Sequence, residues 1–345
     1  MKKTIIGVVL VSFLIGFVAV WLVFGPGTAF EEKHRYFIIE DGKTDKASVL
    51  EALKENNIIS HTTTFGLLAS KMHLWKKAKP GKYEVPNGLS LIGLVRKLRN
   101  NQQVTVNIVI NKIRTKEELA RLISKNIEPD SLNVLQFLSS NDSLEQYGVD
   151  TNTVFTLIIP NTYNFYWHTS IRKVFNKFAE ASNEYWNSDR LDKAKQHGYS
   201  PKQMYIIASI VEEETNKDED KGKIASVYMN RIAKGMALAA DPTIKFALKD
   251  FTIKRILYGY LNVNSPYNTY RNKGLPPGPI CTPSAKTLDL VLDAPKTDYI
   301  FFVAQSDFSG YHHFSSTYAE HEKYAKEYQH ALDEYQLRKE TLGGE

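Results

Sequence analysis

Ile206-Ile207-Ala208-Ser209-Ile210-Val211-Glu212-Glu213-Glu214-Thr215 runs six largely apolar residues straight into three carboxylates. On a helix, Ile207, Ile210, Val211 and Glu214 share one face by i, i+3, i+4, i+7 spacing. Glu214 therefore continues a buried stripe, whereas Glu212 and Glu213 point elsewhere. A carboxyl at the end of an apolar stripe loses hydration, which raises its pKa towards the value a general acid needs at neutral pH. The plainer alternative is a surface glutamate at a helix end, paired with Lys221 or Lys223.

Around this stretch, residues 157–290 read as mainly helical. Pro201 suits the first turn of the helix that ends at Glu214, the segment Ile171 to Trp186 precedes it, and Ile224 to Ile232 follows with Gly235 closing it. Ile159 to Trp167 packs aromatics around a turn, and Tyr299 to Val303 reads as a short buried strand. Thr317 to Glu340 is a charged helix. Asp241-Pro242-Thr243 has the form of a helix N-cap. Ser265 to Tyr270 and Gly274 to Ile280 make a long, Pro-stiffened loop whose Tyr and Asn side chains suit a sugar groove.

Upstream, His34–Ile39 reads as a strand and Lys79 to Pro86 as a turn and a short strand punctuated by Pro80-Gly81, with Lys46–Lys54, Phe65–Met72 and Leu91–Leu98 as helices, the last capped by Ser90. Val104–Ile110 alternates as a strand, and Thr115 with Glu118 opens the next helix as a capping box. Residues 126–156 read as helical connection.

Ile5 to Phe24 carries no charge over twenty residues. At 1.5 Å per residue that spans about 30 Å, the hydrocarbon thickness of a bilayer. A signal peptide would have a shorter apolar core and a small-x-small exit, so an uncleaved single-pass anchor is expected. Lys2 and Lys3 place the amino terminus in the cytoplasm, partly offset by Lys33 and Arg35.

The 345 residues carry 44 Lys and Arg against 38 Asp and Glu, a net +6. That excess is mild and unclustered, which argues against nucleic acid as a partner. With a single cysteine, Cys281, there is no disulfide framework and no multi-cysteine metal site. His312, His313 and His321 lack a short metal-ligand spacing, and no GxSxG elbow, P-loop or GxGxxG is present, so neither metal nor cofactor is expected.

Taken in order and spacing, several of these pieces resemble the MltG/YceG-like family of endolytic murein transglycosylases over nearly the whole chain. They are the anchor, Lys79-Pro80-Gly81-Lys82-Tyr83, Pro160-Asn161-Thr162-Tyr163 and Ala208 to Thr215. Further on come Ala225-Ser226-Val227-Tyr228-Met229-Asn230-Arg231, Gly235-Met236, Asp241-Pro242-Thr243, Tyr267-Asn268-Thr269-Tyr270, Gly274 to Ile280, and His312-x-Phe314 with His321.

The resemblance implies an α+β chain with one N-terminal transmembrane helix, a small LysM-like βα module and a mainly helical lysozyme-like catalytic domain with a few short strands. The corresponding ranges are 1–30 for the anchor, 31–125 for the module, 126–156 for the connection and 157–340 for the catalytic domain. It implies glycan strands of peptidoglycan as substrate, peptidoglycan polymerases as partners, and a bacterial inner-membrane location with the body facing the cell wall. The family's catalytic glutamate, the one before Thr, falls on Glu214, with Glu212, Asn230 and Asp241 supporting. Tyr163, Tyr267, Asn268, Tyr270 and His312 would line the groove. Asn161, Ala240 and Ser284 depart from the family pattern and leave groove detail open. Two other readings remain at this stage: an anchored, catalytically silent glycan-binding scaffold, and a hydrolase that leaves water-added ends.

Overall fold

The structure, a computed structural model, describes residues 2–342. Its backbone contacts gather into two compact units: residues through Ile108 with Ile123–Asp130 and Tyr163–Ser170, and Val109–Leu122 with Ser131–Thr162 and everything from Ile171.

In the first unit, α1 (Lys2–Phe24) presents its apolar side chains outward. Its Ile5–Phe24 stretch is long and apolar enough to cross a membrane. Strand β1 (His34–Ile39) pairs antiparallel with β2 (Gly81–Pro86), Phe37 opposite Tyr83. Successive side chains alternate across a strand, so Phe37, Ile39, Tyr83 and Val85 all fall on the buried face. Helices α2 (Lys46–Glu55), α3 (Thr62–Lys71) and α4 (Leu91–Arg99) complete that core with Val49, Leu53, Phe65, Leu94 and Leu98. Asp45 caps α2 and Ser90 caps α4, each accepting backbone N–H groups of the first turn.

Strand β3 (Thr105–Val109) precedes α5 (Lys116–Asn126), whose capping box forms as the sequence predicts: Thr115 Oγ1 accepts from Glu118 N–H, and Glu118 accepts from Thr115 N–H. After α6 (Ser131–Leu138) and α7 (Asn141–Leu144), the Pro160–Trp167 stretch holds strand β4 (Thr162–Tyr166), which pairs with β3. The sequence suggests a turn there; the alternation of buried Tyr163 and Phe165 with exposed neighbours decides for a strand.

The second unit is built around α10. Helices α8 (Ile171–Tyr185) and α9 (Ser188–Gln196) lead to α10 (Pro201–Glu214), which starts with a Ser200/Gln203 capping box and has proline in its first turn. Met204 to Val211 are all buried, so the helix is enclosed on every side and not merely along one stripe. Helices α11 (Asp218–Ala233), α12 (Asp241–Leu248) and α13 (Ala285–Leu292) pack against it or its neighbours. Strands β5 (Phe301–Ala304) and β6 (His312–Ser315) form a hairpin-like pair, followed by α14 (Tyr318–Leu342). Every β5 residue is half-buried, unlike the buried strand expected, because a two-stranded sheet leaves its side chains only partly covered.

The long loop before α13 is pinned to α10. Ile280 N–H donates to Ser209 Oγ at 3.1 Å, and the Cys281 thiol faces the Ser209 carbonyl at 3.3 Å. Thr282 straps residues 111–113 to the same loop: its hydroxyl donates to the Asn111 carbonyl and accepts from Ile113 N–H. Gly278 is required by crowding. A Cβ there would lie 2.1 Å from the Asn152 carbonyl oxygen and 3.0 Å from the Tyr267 hydroxyl. Gly278→Ala should therefore lower stability by about 1–3 kcal/mol in thermal or denaturant unfolding, the cost of overpacking against backbone.

Candidate active site

Helix α10 delivers three consecutive glutamates to three environments. Glu212 accepts from the Thr287 hydroxyl and, at 3.3 Å, from the Ser284 hydroxyl, with Lys221 and Lys112 at 3.7 and 3.8 Å. Glu213 takes the Arg114 guanidinium in a two-pronged fork, both contacts 3.0 Å, with Lys112 at 3.5 Å. Lys221, the partner the sequence offered to Glu214, goes instead to Glu212 and Asp218.

Glu214 is left with none of these. Its Oε2 is shut off from solvent and, among the described residues, has no hydrogen-bond partner; the same is true of the Tyr228 hydroxyl on α11. Its pKa is pushed up from the ordinary 4.5 to about 8, first by burial and then by the charge of Asp241, against smaller opposing pulls from the Tyr228 hydroxyl, Lys245 and Arg231. At neutral pH the carboxyl therefore holds its proton.

The surroundings keep cations from undoing this. Arg231 spends its N–H groups on the Ile300 and Leu238 carbonyls, at 2.7 and 2.6 Å, and burial lowers its own pKa. Asp241 accepts the Tyr270 hydroxyl, whose pKa burial and this carboxylate hold well above the usual range. Asp241 is the first residue of α12 and does not act as its cap: Ala240 occupies that position without a side-chain bond, and Thr269 Oγ1 accepts from the Ala240 N–H. The Asp-Pro pair suggested a cap, but the aspartate is turned to Tyr270.

Glu214, Asp241 and Tyr270 are thus one cluster. Other residues predicted from the sequence sit elsewhere. Asn268 is fully buried, donating to the Leu261 and Val263 carbonyls at 2.9 Å and accepting from Tyr270 N–H, so it shapes the loop that carries Tyr270. Asn230 donates to the Thr297 and Tyr299 carbonyls. His312 is held by Asp220 through both its backbone N–H and its ring. Tyr267 is half-buried, 4.6 Å from the Phe246 ring. Tyr163 is buried on β4 in the first unit, stacked on Phe165.

Tyr228, Arg231 and Lys245 were missed as site residues. Tyr228 and Arg231 stand within the Ala225–Arg231 motif, but no spacing rule ties them to Glu214; helix packing does. Because Asp241 is the second-largest cause raising the Glu214 pKa, Asp241→Asn should move the alkaline limb of any Glu214-dependent rate to lower pH. A pH–rate profile of the variant beside the parent measures this.

The sequence profile of the YceG-like family matches residues 37–327. A crystal structure of a YceG-like protein from Listeria monocytogenes is 26% identical, with a TM-score of 0.55, over 84% of this chain and 98% of that one. The endolytic murein transglycosylase of Bacillus subtilis is 29% identical over 304 residues, 82% of this chain and 81% of that protein. The protein of the same name from Streptococcus pneumoniae D39 is 24% identical over 283 residues, 73% of this chain and 51% of that protein, so the chain spans about half the length of its streptococcal relative. With a family match running through both units and across the glutamate-bearing helix, the chain belongs to the YceG-like family.

Proposed function

We propose that this chain is an endolytic murein transglycosylase: a lyase that cuts the β-1,4 bond between N-acetylmuramic acid and N-acetylglucosamine within glycan strands and leaves a 1,6-anhydro end. The observation that carries the reading is the Glu214 carboxyl, one oxygen of which is shut off from solvent without a hydrogen-bond partner among the described residues, with its pKa raised to about 8. The names of the relatives from Bacillus and Streptococcus supply the substrate class.

Glu214, protonated at neutral pH, donates its proton to the glycosidic oxygen as positive charge develops at C1 of the sugar. The resulting carboxylate faces Asp241 in a poorly hydrated setting, which makes it a strong base. It then removes the proton of the C6 hydroxyl of the same muramic acid, whose oxygen attacks C1. The proton returns to Glu214 and the cycle closes without water. The sugar's own hydroxyl supplies the effective concentration that a separate nucleophile would otherwise have to provide. A hydrolase would instead need a second carboxylate to activate water. Asp241 is the candidate, and its engagement with Tyr270 favours the anhydro route.

We assign residues 31–125 to holding glycan as a LysM-like module, residues 157–340 to lysozyme-like cleavage, and α1 to anchoring in the bacterial inner membrane with the body on the cell-wall side. An anchored position places the chain beside peptidoglycan polymerases. Mass spectrometry of fragments released from purified peptidoglycan by the full-length protein in detergent tests the reaction. Ends of 1,6-anhydromuramic acid are expected. Water-added reducing ends would replace the lyase by a hydrolase, and retention of glycan without release would leave a binding scaffold.

A further inference from the structure

Helix α12 connects the Glu214 cluster to a second place of unbalanced charge. Asp241 and Lys245 stand at i and i+4 on α12, and Lys249 is the residue just past its end. From Asp241 to Lys249 the axis advances about 12 Å. Two cavities lie along this course. The nearer, about 170 Å³, is lined by Pro242 and Lys245 with Phe246 and Phe251. The farther, about 370 Å³, shares Phe246 and Phe251 and adds Lys116, Lys249 and Tyr267. Arg114 borders both, but its guanidinium is already committed to Glu213.

The two lysines are not committed. Among the described residues, neither the Lys116 nor the Lys249 ammonium forms an ion pair or a hydrogen bond. Burial lowers the Lys116 pKa, Lys249 lowers it further, and Glu117 and Asp150 oppose without pairing. Lys249 also stands in the left-handed backbone region, φ 54°, where glycine would be relaxed. A strained backbone position thus holds a second ammonium at a cavity that already has one, beside an apolar wall of Phe246, Phe251 and Tyr267. Two cations lining one cavity with apolar walls, the exposed Lys249 and the half-buried Lys116, suit a carboxylate on an aliphatic stem.

We propose that this cavity is a carboxylate subsite, with Lys116 and Lys249 as its ligands, for the acidic peptide attached to the muramic acid that Glu214 acts on; the identity of that peptide rests on the glycan-cleavage reading above. The span fits. A peptide of three to four residues reaches roughly 10–14 Å when extended, the distance that α12 sets between the cluster and Lys249. Glu117 also lines the cavity, and its negative charge tolerates a single carboxylate better than a phosphate-like dianion.

Binding of a synthetic tripeptide, L-Ala-γ-D-Glu-L-Lys, to the full-length protein in detergent micelles tests this by calorimetric or NMR titration. The probe is used with free carboxylates and, separately, with every carboxylate amidated. The free form should bind at least about tenfold more tightly than the amidated form, the difference shrinking as salt is added. The double variant Lys116→Gln/Lys249→Gly should lose that preference. Lys249→Gly introduces the residue its backbone favours, so the single variant should melt at or above the parent's temperature, and a double variant that melts near the parent's excludes misfolding as the cause. Equal binding of the two peptide forms, or an unchanged preference in the folded double variant, overturns the subsite. Carboxylate preference without anhydro ends would keep the subsite and remove the cleavage reading; anhydro ends without that preference would do the reverse.

Discussion

Glu214→Gln is expected to lower the release of 1,6-anhydro ends by roughly a thousandfold or more, with retention of glycan on the protein nearly unchanged. General acid–base catalysis by one side chain contributes about 10²- to 10⁴-fold, and here the same carboxyl is asked to give a proton and then to take one. Gln keeps the volume and the polar end but can do neither. In the parent enzyme, rate should fall as pH rises through about 8, because the proton to be donated is then lost. Product counting by mass spectrometry across pH 6 to 9.5 measures both effects. Near-normal turnover by the variant would remove Glu214 from the mechanism.

The second large effect is on stability and has the opposite sign. In the folded protein the Glu214 pKa lies near 8, against 4.5 for an ordinary glutamate. Between these values the folded chain holds a proton that the unfolded chain has released, so stability declines as pH rises through that window. The contribution is fully present below about 4.5 and is lost as pH passes 8. With about 1.4 kcal/mol for each unit of pKa difference, the penalty on the parent reaches at most about 5 kcal/mol in alkali. Glu214→Gln has no proton to lose. Its melting temperature should therefore draw away from the parent's between pH 5 and pH 9, by several degrees or more. A constant gap across that range would mean that the carboxyl is not held in its neutral form.

What could be read in the sequence was whatever depends on spacing along one element. The i, i+3, i+4, i+7 spacing sets Glu214 apart from Glu212 and Glu213 in the sequence; the three glutamates do meet different partners, although the helix before them is buried all round and not along one stripe. The Ser90 cap and the Thr115 box mark helix starts because their side chains bond within the same turn, and Pro201 marks the start of α10 because it fits a first turn. Features that need a remote partner were not legible. The pairing of Thr162–Tyr166 is one such case: β4 forms because β3, far upstream in the chain, offers it an edge. Tyr228 is another, since its hydroxyl reaches the glutamate only through the packing of α11 on α10. Asn268 was recognised by type as a groove residue, yet its amide is used up on loop carbonyls, a choice that composition does not encode.

The end of α10 also makes helix register a chemical variable. Adjacent residues are turned about 100° from each other, so a one-residue slip would bring to the Tyr228 side Glu213, now held by Arg114, and a two-residue slip Glu212, now held by the Thr287 and Lys221 group. A carboxylate answered by such partners ionises readily and makes a poor acid. The Ser200 capping box at one end and the Arg114 fork at the other fix the phase of the helix at both limits. Proton affinity at this site is consequently set by an angle as well as by an amino acid.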